Sequence, residues 1–79
     1  MIFPNPATDN VTIRFNQPGN FTVLLFDASG NRVLFNEVTI ESEENETSID
    51  IKTLSSGIYL VKIISDDGKE IEVKKIIKI

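Results

Sequence analysis

The apolar residues of this 79-residue chain come in short runs, and clusters of Gly, Pro, Asn, Asp and Ser cut the runs apart. No window holds the three- and four-residue spacing of an amphipathic helix. Ile, Val, Thr and Phe dominate the runs, and most of them alternate with polar residues. A period of two bounded by turn residues is the pattern of half-buried strands. The chain is therefore expected to fold as an all-β domain of about seven short strands, a sandwich rather than a barrel.

Val11, Ile13 and Phe15 face one way on the first clear strand, behind a Phe3–Asn10 entry that holds two prolines. Each proline fixes its own φ and biases the residue before it toward extended backbone. Asn16–Asn20 reads as a turn centred on Pro18-Gly19. Phe21–Phe26 is apolar except at Thr22, so it is expected to be covered on both faces or nearly so. Asp27–Asn31 reads as a hairpin loop, with Gly30 supplying positive φ. Arg32–Ile40 changes the phase of its alternation near Asn36-Glu37, which predicts two short strands or one with a bulge.

Glu41–Glu46 is an acidic loop. Thr47–Ile51 places Ile49 and Ile51 on one face. Thr53–Gly57 forms a corner with Leu54 as a plug. In the strand Ile58–Ile64, Tyr59, Val61 and Ile63 are expected in the core. Ser65–Lys69 is a second hairpin loop, with Asp67-Gly68 at its centre. In the last strand, Glu70–Ile79, the expected inward residues are Ile71 and Val73.

The composition narrows the chemistry. There is no Cys and no His. Disulfides, thiolate metal sites and Cys nucleophiles are excluded, and the commonest general base and zinc ligand are missing. A chain this small buries only roughly 60% of its unfolded surface. Its core must rest on apolar packing and sheet hydrogen bonds, for which a 41% hydrophobic composition suffices. A net charge of −4 argues against nucleic acid, whose phosphates call for a basic face. Met1-Ile2-Phe3-Pro4 has neither a charged n-region nor an apolar h-region, so no signal peptide is expected, in keeping with a piece of a longer chain.

No candidate for catalysis survives inspection. Ser55-Ser56-Gly57 lacks a base and lacks the strand–turn–helix setting of a nucleophile elbow. Asp27, Asp50, Asp66 and Asp67 sit at turns and strand ends, and tight hairpins offer no cleft for paired carboxylates. Glu41, Glu43, Glu44 and Glu46 lack the spacing of a calcium loop and read as a solvated tip. Gly30, Gly57 and Gly68 are separate turn glycines. No metal and no cofactor is expected. Tyr59, the one tyrosine, could stack on a sugar, but its place on an alternating strand points to the core with its hydroxyl at the edge. Lys69, Lys74, Lys75 and Lys78 leave the C-terminal region basic. Edge-strand protection and recognition by an acidic partner are both open readings.

Four segments together resemble a known family. Phe3-Pro4-Asn5-Pro6-Ala7-Thr8-Asp9 is followed by Val11-Thr12-Ile13. Phe21–Asp27 is followed by Gly30 and Val33. Ile49-Asp50-Ile51 and Leu54 precede Ser56-Gly57-Ile58-Tyr59-Leu60-Val61-Lys62. Lys74-Lys75-Ile76-Ile77-Lys78 closes the chain. In this order they resemble the type A C-terminal sorting domain of the type IX secretion system of Bacteroidota. Phe26 stands where that family often has Tyr.

The resemblance implies a seven-stranded immunoglobulin-like antiparallel sandwich, read as a folded signal and attached to a larger secreted cargo. It implies passage through the periplasm, recognition by translocon, shuttle and sortase components, and delivery to the cell surface or the extracellular space, commonly with removal of the domain. Lys74, Lys75, Ile76, Ile77 and Lys78 are the expected recognition residues. Pro4, Asn5, Pro6, Asp27, Gly30, Asp50, Leu54, Gly57 and Tyr59 are expected to be mainly structural. Pairing of two copies through an edge strand stays open. The alternatives are an immunoglobulin- or fibronectin-like accessory module that binds glycan or a cell-surface protein, and an inert spacer.

Overall fold

The computed structural model describes residues 1–41 and 45–79, so the middle of the acidic loop lies outside the described residues. The described residues form seven strands: β1 (Ile2–Phe3), β2 (Asn10–Arg14), β3 (Gly19–Asp27), β4 (Arg32–Ile40), β5 (Glu46–Asp50), β6 (Gly57–Ser65) and β7 (Glu70–Lys78). They make two antiparallel sheets, β1-β2-β5 and β4-β3-β6-β7. The expected sandwich is the observed one.

Alternation explains the core. Val11 and Ile13 of β2, with Ile49 of β5, turn inward from the smaller sheet. Phe21, Val23 and Leu25 of β3 and Tyr59, Val61 and Ile63 of β6 meet them from the larger. Both sets stand at every second position, and side chains at that spacing share a face. Phe15, just past β2, closes one end against Phe21, their ring centroids 4.5 Å apart in a tilted contact. Leu54 is half-buried against this core, as its plug role requires. On β3 the outward set Thr22, Leu24 and Phe26 is only half-covered.

Two hairpin loops share one construction. In Asp27–Asn31, Asp27 N donates to Asn31 O and Gly30 N donates to Asp27 O. In Ser65–Lys69, Ser65 N donates to Lys69 O and Gly68 N donates to Ser65 O. Gly30 and Gly68 have φ of 90° and 87°. This is a tight turn followed by a left-handed residue, where a Cβ is strained. Pro18-Gly19 is not a turn centre. Gly19 instead opens β3 opposite Ile40.

The structure corrects the phase of two strands. β4 is one strand with an irregularity, the second of the two expected forms, but the register skips Val33, where Leu25 and Phe26 pair with Leu34 and Arg32. Leu34, Val38 and Ile40 face inward throughout, so the phase does not change near Asn36. Phe35 belongs to the outer face, where the Arg32 guanidinium covers its ring at 5.2 Å.

The second correction concerns β7. Ile71 and Val73 are 46% and 41% exposed. Tyr59, Val61 and Ile63 pair with Ile76, Lys74 and Glu72, so the inward face of β7 is Glu72, Lys74, Ile76 and Lys78. Opposite this flank stands a sheet that ends in the two-residue β1. A rim so short leaves room for polar heads. Lys74 Nζ donates to Ile2 O at 2.7 Å.

Ile63→Ala removes a buried side chain and is expected to lower unfolding free energy by about 2–5 kcal/mol. Val73→Ala, on the outer face, is expected to cost under about 1 kcal/mol. Denaturant midpoints of the two variants check the orientation of β7, and equal losses would contradict it.

Candidate functional site

The signature segments at the two ends of the chain meet on β7. Pro4 and Pro6 have no N–H to give to a ladder. Asn5 between them carries a planar amide whose NH2 donates and whose oxygen accepts, as the two sides of a peptide group do. Its Nδ2 donates to Lys75 O at 3.1 Å, and its Oδ1 accepts from Ile77 N at 2.9 Å. Ala7 continues with its own backbone: Ala7 N donates to Ile77 O at 2.8 Å, and Ile79 N donates to Ala7 O at 2.8 Å. Ala7 is fully buried and forms a parallel bridge with Lys78. One asparagine side chain and one residue of backbone thus serve as a strand along the outer edge of β7.

Alternation splits the basic run. Lys75 and Ile77 are exposed on the outer face of the four-stranded sheet. Lys74, Ile76 and Lys78 turn inward. Lys74 is held by the Ile2 carbonyl, and Ile76 is fully buried. Lys78 is only 9% exposed, its ammonium near Ile79 O at 3.3 Å. Of these three lysines only Lys75 is exposed, because a strand cannot present consecutive residues on the same side.

Around Lys75 the outer face is apolar. Phe26, Leu60 and Lys75 stand abreast on β3, β6 and β7. Ile58 is opposite Ile77, and Lys62 is opposite Val73. The β3–β4 hairpin rises beside them, and with Phe26, Ile58, Leu60, Lys62 and Lys75 it bounds an open cavity of about 420 Å³. Lys62 Nζ lies 5.8 Å from the Phe26 ring centroid and 3.4 Å from Glu70 Oε1.

The remaining motif residues build the scaffold. Asp27 Oδ1 accepts from Ser29 N and Asn31 N, both at 2.9 Å. The Asn31 amide first, then its side chain and the other loop amides, hold the Asp27 carboxyl below its ordinary range against a smaller opposing cost of desolvation. Asp67 plays this part in the second hairpin. The Ser65 hydroxyl donates to it, as does Lys69 N at 3.1 Å, and its carboxyl is likewise lowered, mostly by Ser65. Asp50 Oδ1 accepts from Lys52 N at 2.9 Å and turns the chain out of β5. Leu54 N donates to Ile51 O at 3.1 Å. Gly57 opens β6 with φ of 156°. The Tyr59 ring is buried, and its hydroxyl donates to Ser55 O at 2.6 Å, a side-chain tie across a corner like those of other sandwiches.

Among the described residues, no three His, Cys, Asp or Glu side chains gather as a metal site. Ser42, Glu43 and Glu44 of the acidic loop lie outside those residues. Glu46 bonds Arg14 at 2.7 Å across the smaller sheet.

The described residues thus form a two-sheet antiparallel sandwich with both signature ends joined on one strand. The family model described as the secretion system C-terminal sorting domain matches residues 1–79, and the chain belongs to that family, the non-catalytic sorting domains of type IX secretion. Among curated proteins, it is 30% identical over 80 residues to an endo-acting ulvan lyase of Formosa agariphila. That match covers 98% of this chain and 14% of the lyase, so the chain spans about a seventh of that relative.

Asn5→Ala is expected to cost about 1 kcal/mol, the net worth of one or two exposed hydrogen bonds. It is also expected to speed hydrogen exchange at the Ile77 amide well beyond that at Val61. Protection of Ile77 unchanged in the variant would contradict the clamp. The lowered Asp27 and Asp67 carboxyls support folding above their ordinary value of 3.8. That support is lost as pH falls through their lower folded values. Denaturant midpoints at pH 6 and pH 3 are therefore expected to differ less in the Asp27→Asn/Asp67→Asn variant than in the parent.

Proposed function

We propose that residues 1–79 are one module of a longer secreted protein and act as its folded address. In this reading the type IX machinery meets the module in the periplasm, through shuttle and translocon components, and a sortase removes it at the surface. The observation that carries the reading is the junction of the two termini on β7. Residues 5–7 engage Lys75, Ile77 and Ile79, so the C-terminal run takes its shape only when the whole domain has folded. A signal of this kind reports that the domain has completed folding.

Of the run Lys74–Lys78, Lys75 and Ile77 are the proposed points of contact, and Lys74, Ile76 and Lys78 hold them in place. The similarity to a segment of an endo-acting ulvan lyase makes a polysaccharide-degrading enzyme the proposed kind of cargo. The glycan-binding alternative has less support, since the Tyr59 ring is buried. Two copies pairing through an edge would use β4 or an edge of the smaller sheet, because a strand added to β7 between Lys75 and Ile79 would have to displace residues 5–7.

Export of a folded reporter tests the reading. Residues 1–79 are placed at its C-terminus, behind an inner-membrane signal peptide, in a host with the type IX system. The fusion is expected at the surface or in the medium, with the reporter alone held in the periplasm. Equal retention of both would overturn the assignment. Deletion of the last five residues is a poor substitute, because it takes the buried Ile76 with it and unsettles the fold.

A further inference from the structure

We propose that the outer face of the four-stranded sheet, centred on Lys75 and Leu60, docks an acidic protein segment whose carboxylates are flanked by apolar side chains. The inference rests on the sorting reading above and names the chemistry of the partner.

The face is built for contact. Scattered apolar residues on a surface need no explanation, but a contiguous patch does. Here Phe26, Leu60, Ile58, Ile77 and Val73 adjoin across three neighbouring strands, and Ile58 and Ile77 are 49% and 45% exposed. The β3–β4 hairpin walls one side, which gives a side chain somewhere to enter. The patch is also charged in its middle. Lys62 and Lys75 stand on either side of Leu60. Lys62 is engaged by Glu70, whereas Lys75 has no carboxylate within ion-pair distance among the described residues.

Charge selects the occupant. The chain carries −4 overall, yet a cation stands among apolar side chains here. Such a cation steers and orients a carboxylate, and the surrounding apolar area holds what arrives with it. A second copy fits poorly, since two such faces would bring Lys62 and Lys75 against their own counterparts on two molecules of like net charge. An anionic lipid surface fits poorly too. It asks for clusters of about four to eight basic residues, and the domain as a whole would be repelled.

The export fusion tests the proposal through Lys75→Glu, Lys75→Gln and Leu60→Ser, with Lys75→Arg and the distant Lys52→Glu as controls. The first three are expected to reduce export about tenfold or more, equivalent to about 1.4 kcal/mol of partner binding or above, at unchanged thermal midpoints. The two controls are expected to export normally. Normal export of Lys75→Glu and Leu60→Ser beside an exported parent would overturn the docking face and leave the sorting reading standing. Retention of the parent fusion would overturn the sorting reading itself. A dimer in sedimentation velocity that Lys75→Glu abolishes would assign the face to a second copy. Cosedimentation with phosphatidylglycerol vesicles that Lys75→Glu abolishes would assign it to lipid. Either result would overturn the proposal.

Discussion

Four hydrogen bonds between residues 5–7 and 75–79 decide how the larger sheet ends. A bare edge strand offers a row of unpaired N–H and C=O groups to any extended chain. β7 avoids this over Lys75–Ile79 without an eighth strand, because Asn5 lends a side-chain amide where a peptide group would stand and Ala7 supplies the next. The segment that does this is rich in proline, and so could not have formed an ordinary ladder. Its partners lie some seventy residues away along the chain. Closing so large a loop carries an entropic cost, and contacts gathered across the whole domain must meet it. The junction is therefore among the features most dependent on complete folding.

The rim of the sandwich follows from the same placement. With residues 1–7 drawn along β7, the two-residue β1 lies beside the inward side of that strand. Lys74 bonds the Ile2 carbonyl. Its side chain faces inward yet keeps a polar partner, which is how a long charged residue is accommodated at a half-open edge. Only Ile76 on that face is fully enclosed. Core, rim and edge thus each use alternate residues of one nine-residue strand, and the outer alternates are left to face whatever approaches.

Legibility from the sequence varied with how local the cause was. The twin hairpin loops and the core stripe of β6 could be read directly. Gly30, Gly68 and the alternation of Tyr59, Val61 and Ile63 act within a few residues. The phase of β7 could not be read. Ile71 and Val73 look like a core pair, but the register against β6 is set by where Ile76 fits and by the irregularity at Ile63/Ile64. β4 misled for a related reason, since Phe35 is an apolar residue of the outer face and Val33 is the residue its register skips. β1 was invisible because two residues have no period. Asn5 stood out as part of a motif, but nothing in its neighbourhood revealed that its amide is spent on the far end of the chain.

The outer face of the larger sheet is apolar where a purely structural sandwich would be polar: Phe35, Ile58, Leu60, Val73 and Ile77 all lie on it. An antiparallel sheet with one solvated face should alternate cleanly. An inert spacer would have no reason to depart from that rule. The departure raises the risk of association, and the domain offsets it with net negative charge and with lysines set among the apolar residues. For a module of a family that works by being recognised, an outer face that fails the solvation pattern is best understood as a surface awaiting its partner.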